Sequence, residues 1–112
     1  MLQKDSMYTW YKIENISAAS FGENEMKEFL INNKRVGLLK RAQNIYAFSA
    51  VCPHASGDLC NGWLDALGRI VCPVHSYRYD PATGRNTSGE GYKLFTYPVE
   101  IRNDEVFIGL LS

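Results

Sequence analysis

Short apolar runs separated by turn residues recur along the chain, and this pattern predicts β-strands. Residues 7–13 combine aromatic and β-branched side chains and predict a first strand. Residues 26–31 and 36–39 predict a hairpin that turns at Asn32-Asn33-Lys34. Residues 45–48 alternate between two faces, which predicts a further strand. The three strands after the first, joined by short turns, predict an antiparallel meander.

The second half of the chain continues this pattern in shorter pieces. A small hairpin is predicted over residues 63–71 and another strand over residues 77–80, before a turn at Pro81-Ala82-Thr83-Gly84. Residues 94–102 and 106–110 predict a closing hairpin. The sequence shows no long helical periodicity, so an all-β fold is expected.

Length and charge limit the classes of function. The 112 residues fit one domain, 1–112, and the net charge of zero argues against nucleic acid or an anionic membrane as partner. Residues Met1–Ser6 carry no apolar signal region, and no window has the length of a membrane span. The three cysteines are an odd number, so a reducing cytoplasm is the expected location.

Candidate chemistry is concentrated in two stretches, Cys52-Pro53-His54 and Cys72-Pro73-Val74-His75. They contain both histidines of the chain and two of its three cysteines. Thiolates and imidazoles are ligands for zinc and for iron. We therefore predict a two-loop metal site at Cys52, His54, Cys72 and His75.

The mixed composition of each stretch favours two irons over one zinc. Structural zinc sites usually pair like with like, and a single residue between Cys52 and His54 is a tight bite for one ion. In a binuclear site the two cysteines can bind one iron and the two histidines its neighbour. That is the ligand set of a 2Fe-2S centre in which two imidazoles replace two thiolates.

The spacing Cys52-x-His54, seventeen residues, then Cys72-x-x-His75 resembles the Rieske motif of soluble Rieske ferredoxins. The wider resemblance, which extends to the small subunit of NAD(P)H-dependent nitrite reductase, includes Trp63, Tyr79-Asp80 and Gly84. It implies an antiparallel β-sandwich with a small cluster-binding subdomain at about residues 48–80, and one 2Fe-2S cluster per chain.

Departures from the family's pattern are informative. Respiratory Rieske proteins carry a disulfide between the ligand loops, and the matching positions here are Gly57 and Val74. No such bridge can form, which is typical of the cytosolic ferredoxin branch. Cys60 is interpreted as a small apolar residue.

The third loop that covers the cluster in many members corresponds to Ser88-Gly89-Glu90-Gly91, which lacks proline, so a looser cover is expected.

Two tyrosines are candidate neighbours of the cluster. High-potential members place a serine and a tyrosine at the positions of Tyr77 and Tyr79. The missing serine predicts a reduction potential in the lower half of a window of roughly −150 to +300 mV. A hydrogen bond from Tyr79 to a sulfur would raise this potential somewhat. Tyr79 as a plain core aromatic is the alternative. The resemblance further implies that His54 and His75 expose one ring edge as an electron port, with Ala55, Leu59 and Tyr77 around it.

The predicted function is one-electron transfer between a reductase and an oxygenase or other acceptor. With both histidines bound to the cluster none is left for acid–base catalysis, so we assign no catalytic residue and expect no activity of the chain alone. One alternative is the small subunit of a nitrite reductase. Another, of a different class, is a zinc-stabilised binding module.

Overall fold

The computed structural model describes residues 7–54 and 57–111, and these form three antiparallel sheets. The predicted all-β fold is confirmed, with a short 3-10 turn at Leu59–Asn61 between strands. No helix there is long and apolar enough to cross a membrane. The strands are β1 Tyr8–Lys12, β2 Met26–Ile31, β3 Lys34–Arg41, β4 Asn44–Ser49, β5 Trp63–Leu64, β6 Ile70–Val71, β7 Arg78–Tyr79, β8 Thr96–Tyr97, β9 Val99–Arg102 and β10 Glu105–Leu111.

Two of the sheets form the sandwich. One has the strand order β1-β10-β9 and the other the order β2-β3-β4-β8. Their facing side chains make one core, to which Val36, Leu38 and Ala47 contribute from the larger sheet and Val106 and Ile108 from the smaller. The predicted meander is confirmed, because β3 lies between β2 and β4.

In the larger sheet, strand β3 is buried on both faces at residues 36–39. Leu38 points into the sandwich core, whereas its neighbour Leu39 packs with Phe48 into a second core that contains Cys52 and Cys72. Successive side chains of a strand point to opposite faces, so β3 has to be apolar on consecutive residues. The second core joins the candidate metal site to the sandwich.

The third sheet has the order β5-β6-β7 and carries the second ligand loop. Trp63 pairs with Val71, and Val71 also pairs with Arg78. The loop that holds Cys72 therefore connects the two neighbouring strands β6 and β7. The predicted hairpin 63–71 and the strand after it are confirmed, although each strand is only two residues long.

Turn chemistry follows the sequence closely. Asn32 and Asn33 have φ of 49° and 65°, the left-handed values that a tight hairpin turn requires. Gly84 has φ of 78°, and a Cβ there would lie 1.9 Å from the Leu94 carbonyl oxygen, so the position excludes any side chain.

One strand prediction was wrong in extent. The stretch 94–102 is two short strands, because β8 pairs with β4 whereas β9 pairs with β10. Pro98 separates them. Proline has no N–H for a ladder bond, so the chain changes sheets there.

Candidate metal centre

Each of the two ligand loops is closed by its own main-chain hydrogen bond, and the two bonds follow the same pattern. The N–H of Cys52 donates to the Gly57 carbonyl at 2.8 Å, and the N–H of Cys72 donates to the Tyr77 carbonyl at 2.8 Å. In each case the acceptor lies five residues after the cysteine. Each cysteine thus begins a closed loop directly after a buried segment, and both cysteines are themselves buried.

Three of the predicted ligands converge. The Sγ atoms of Cys52 and Cys72 and one ring nitrogen of His54 all lie within 4.8 Å of one another. Cys52 Sγ and His54 Nδ1 are 2.8 Å apart, within hydrogen-bonding distance. The fourth, His75, is exposed, and its ring centroid lies 5.7 Å from that of His54. The fold therefore brings the two predicted loops face to face.

The sulfur of Cys72 is buried and accepts a main-chain hydrogen bond. The N–H of Val74 donates to Cys72 Sγ at 3.4 Å, and burial raises the pKa of the free Cys72 thiol to about 11. A Cβ at Gly57 would lie 3.0 Å from this sulfur and 3.0 Å from Val74 Cγ2. A side chain at residue 57 would therefore require Cys72 or Val74 to shift by a few tenths of an ångström. All three cysteines are free thiols.

Tyr79 is both a core aromatic residue and a neighbour of a ligand sulfur, the two alternatives that the sequence left open. Its side chain is fully buried in the second core, and its hydroxyl lies 3.4 Å from Cys52 Sγ. Burial, followed by the contact with Cys52, raises the pKa of Tyr79, so the phenol stays protonated and can donate to the sulfur.

Aromatic rings surround His54. The Tyr77 ring stacks on it with centroids 3.8 Å apart and planes inclined by 20°, and the Tyr92 ring lies at 5.8 Å. His54 Nε2 is buried and has no hydrogen-bond partner among residues 7–54 and 57–111. The expectation that both histidines expose a ring edge was therefore wrong for His54. Of the other predicted port residues, Leu59 is fully buried in the second core and Ala55 lies outside the described residues.

The third loop lacks proline but is tied together largely by the side chain of Asn86. Its Nδ2 donates to the Arg78 carbonyl at 3.1 Å and to Glu90 Oε1 at 3.0 Å. Its Oδ1 accepts the N–H of Glu90 at 2.6 Å and that of Gly91 at 3.2 Å. Hydrogen bonds thus hold together a stretch whose lack of proline predicts a looser cover.

Sequence reasoning missed Asn86 and Tyr92 as neighbours of the site, and it named Glu90 only as part of the third loop. Asn86 is the first residue of Asn86-Thr87-Ser88, which matches a glycosylation sequon. An asparagine at the start of a Ser/Gly-rich loop is also a former of side-chain turns, and that signal could have found it. Nothing in the local pattern places Tyr92 beside His54.

Cys60 lies outside the ligand group. It is half-buried against the second core, and burial raises the pKa of its thiol to about 12. A protonated, shielded thiol is a poor ligand and a poor nucleophile. The interpretation of Cys60 as a small apolar residue agrees with this environment.

The donor set fits a 2Fe-2S centre. The convergence of Cys52, His54 and Cys72, with His75 beside them, supplies two thiols and two imidazoles from two loops. That composition matches the ligands of a Rieske centre. The close approach of Gly57 to Cys72 Sγ, and the buried His54 Nε2 that lacks a hydrogen-bond partner in the described part of the chain, are compatible with a cluster held by this donor set.

Comparisons with known proteins agree. The Rieske [2Fe-2S] domain family matches residues 9–98. The ferredoxin component of the naphthalene 1,2-dioxygenase system of Pseudomonas putida is 32% identical over 88% of this chain and 94% of its own.

Solved structures share the fold. A complex of reduced oxygenase and oxidised ferredoxin in carbazole 1,9a-dioxygenase contains a chain with TM-score 0.77 and 23% identity, matched over 88% of this chain and 99% of its own. A structure described as a putative NADH-dependent nitrite reductase small subunit from Mycobacterium tuberculosis has TM-score 0.81 and 12% identity, over 94% of this chain and 97% of its own. On the family match and the ligand loops together, the chain belongs to the Rieske [2Fe-2S] domain family.

Proposed function

We propose that the protein is a one-electron carrier of the Rieske ferredoxin type, which passes electrons from a reductase to an oxygenase. The observation that carries the proposal is the pair of facing loops with Cys52, His54, Cys72 and His75. We assign these four side chains as the ligands of one 2Fe-2S cluster per chain. When bound, such a cluster accepts and releases a single electron.

Side-chain and main-chain groups of the protein would influence the reduction potential of the cluster. Tyr79, whose hydroxyl lies 3.4 Å from Cys52 Sγ, would donate a hydrogen bond to this sulfur, and the Val74 N–H does so for Cys72. Such hydrogen bonds stabilise negative charge on sulfur and thereby raise the reduction potential of the cluster. Tyr77 stacks on His54 and would keep water from that side of the site.

We also propose the boundaries and location expected from the sequence. A single Rieske domain would occupy residues 1–112, with the cluster-binding subdomain at about 48–80. The β5-β6-β7 sheet and both ligand loops fall in that stretch. Free thiols suit a reducing compartment, so the cytoplasm is the proposed location.

The naphthalene dioxygenase ferredoxin supports an oxygenase system as the setting. It matches this chain over nearly its whole length at 32% identity. A nitrite reductase small subunit has the same fold at 12% identity, so fold does not separate the two settings. Sequence similarity favours the oxygenase setting, with the nitrite reductase large subunit as the alternative partner.

Metal content and spectroscopy test the cofactor. The purified protein should be red-brown, contain iron and sulfide in equal amounts, and give an EPR signal after reduction with dithionite. Colourless protein with stoichiometric zinc would instead support a zinc-stabilised binding module and contradict the proposal.

Electron transfer tests the setting. Reduced protein is mixed in a stopped-flow instrument with the oxygenase of a naphthalene dioxygenase system or with a nitrite reductase large subunit. Rapid reoxidation by the oxygenase alone is expected. Reoxidation by the nitrite reductase alone would assign the protein to that complex.

A further inference from the structure

The third loop presents one carboxylate, that of Glu90, beside the proposed cluster site. Asn86 Nδ2 donates to Glu90 Oε1 at 3.0 Å, and the Ser88 hydroxyl donates to the same oxygen. Asn86 Oδ1 also accepts the Glu90 N–H at 2.6 Å. The carboxylate is therefore held by contacts to its main chain and to its side chain.

The position of this loop relative to the site is set from two sides. Asn86 Nδ2 reaches the Arg78 carbonyl at 3.1 Å, and the Arg78 N–H donates to Ser88 Oγ at 3.0 Å, which ties the loop to β7 directly after the second ligand loop. On the other side the Tyr92 ring, two residues beyond Glu90, lies 5.8 Å from the His54 ring. The exposed Glu90 thus lies between a tie to β7 on one side and the Tyr92–His54 ring contact on the other.

Glu90 keeps its charge. The hydrogen bond from Ser88, supported by Asn86 and by the nearness of His54, holds the pKa of the Glu90 carboxyl below its usual range. No lysine or arginine nitrogen of the described residues lies within 4.0 Å of it, whereas Asp65 is paired with Arg69 at 2.9 Å. The negative charge beside His54 is therefore not neutralised by an ion pair.

Resting on the function proposed above, we infer that Asn86 is a positioning residue that holds the Glu90 carboxylate beside His54, and that this charge lowers the reduction potential of the protein. One-electron reduction adds one negative charge to the site, and a fixed carboxylate nearby opposes that addition by Coulomb repulsion. Without the contacts to Asn86 the carboxylate could move away from the site and would oppose the addition less, because the repulsion falls with distance.

The test is the midpoint potential of cluster-loaded protein, measured by voltammetry at neutral pH. Glu90→Gln keeps the shape of the side chain and removes its charge. At a fixed solution potential, the ratio of reduced to oxidised protein should rise about threefold to tenfold, where tenfold corresponds to about 59 mV for one electron. The matched control Glu14→Gln removes one charge from the exposed turn after β1 and should leave the ratio unchanged.

A double-mutant cycle tests the role of Asn86. Asn86→Ala should raise the potential in the same direction as Glu90→Gln, and the double variant should add little to either single change, because both remove the same held charge. Amide hydrogen exchange gives a readout that does not depend on the cluster. The Glu90 and Gly91 amides should exchange faster in Asn86→Ala, with the strands unaffected.

Each outcome decides the inference. A loaded Glu90→Gln protein whose potential moves no more than that of Glu14→Gln overturns it and leaves the proposed function standing. Additive effects of Asn86→Ala and Glu90→Gln overturn the positioning role. Protein that takes up no 2Fe-2S centre overturns both the inference and the proposed function.

Discussion

The two ligand loops are alike in backbone and different in surroundings. Each begins with a buried cysteine whose N–H donates to a carbonyl five residues later at 2.8 Å. His54 follows its cysteine by two residues and packs under Tyr77 and Tyr92. His75 follows by three residues, has φ of 65°, and is exposed.

This difference shows that a shared loop closure does not decide how accessible a ligand is. The extra residue before His75 brings it onto the left-handed part of the second loop, with Ser76 at φ of 58° after it. The imidazole there lies at the surface. His54 instead lies against the Tyr77 and Tyr92 rings and is half-buried. A partner that docks at the ligand loops would meet His75 first.

Removal of a thiol should have the largest effect, because both loops are expected to supply one. Cys52→Ser and Cys72→Ser should each abolish cluster binding, measured as iron and sulfide per chain. Cys60→Ser is the matched control and should retain full iron content, since Cys60 lies outside the group of converging ligands. Loss of the cluster in Cys60→Ser would contradict the assignment of the first loop.

Removal of the ring that covers His54 tests the enclosure of the first loop. Tyr77→Ala should increase the rate of cluster loss to a chelator about twofold to tenfold, because a stacked aromatic pair is worth about 0.5–1.5 kcal/mol. The change is followed by the decay of visible absorbance. Phe95→Ala removes an exposed ring that packs on Tyr97 instead, and its rate should equal that of the unaltered protein.

The hydroxyl of Tyr79 distinguishes the sulfur of the first loop from that of the second. Tyr79→Phe should lower the midpoint potential by about 40 mV, the equivalent of roughly 1 kcal/mol, because one hydrogen bond to Cys52 Sγ is lost. Voltammetry measures it. An unchanged potential would leave Tyr79 as a core aromatic only. Tyr97→Phe, at a partly buried tyrosine of the sandwich core, serves as control.

The smallest effect is expected from the backbone of the second loop. Ser76 has φ of 58°, which glycine adopts without steric cost. Ser76→Gly should therefore increase the free energy of unfolding by about 0.5 kcal/mol, after the entropy that glycine adds to the unfolded chain is subtracted. Urea unfolding of cluster-free protein measures this change. A destabilised variant would show that the Ser76 side chain stabilises the loop.

The sequence by itself determined the chemistry and most of the strands. The four ligands stand out because both histidines and two of three cysteines fall in two short segments. Strand alternation and the Asn32-Asn33 turn are local properties that period and turn preference report. The same locality explains why the meander and the closing turn at Asn103-Asp104 were predictable.

Only the tertiary structure decided which ligand is shielded. Tyr92 is thirty-eight positions from His54 in the chain, so no local pattern records that their rings lie 5.8 Å apart. The anchoring of the third loop by Asn86, and the break of residues 94–102 between two sheets, likewise depend on partners distant in sequence. Such long-range contacts are set by packing of the whole fold, whereas the identity of the ligands is written in the segments that carry them.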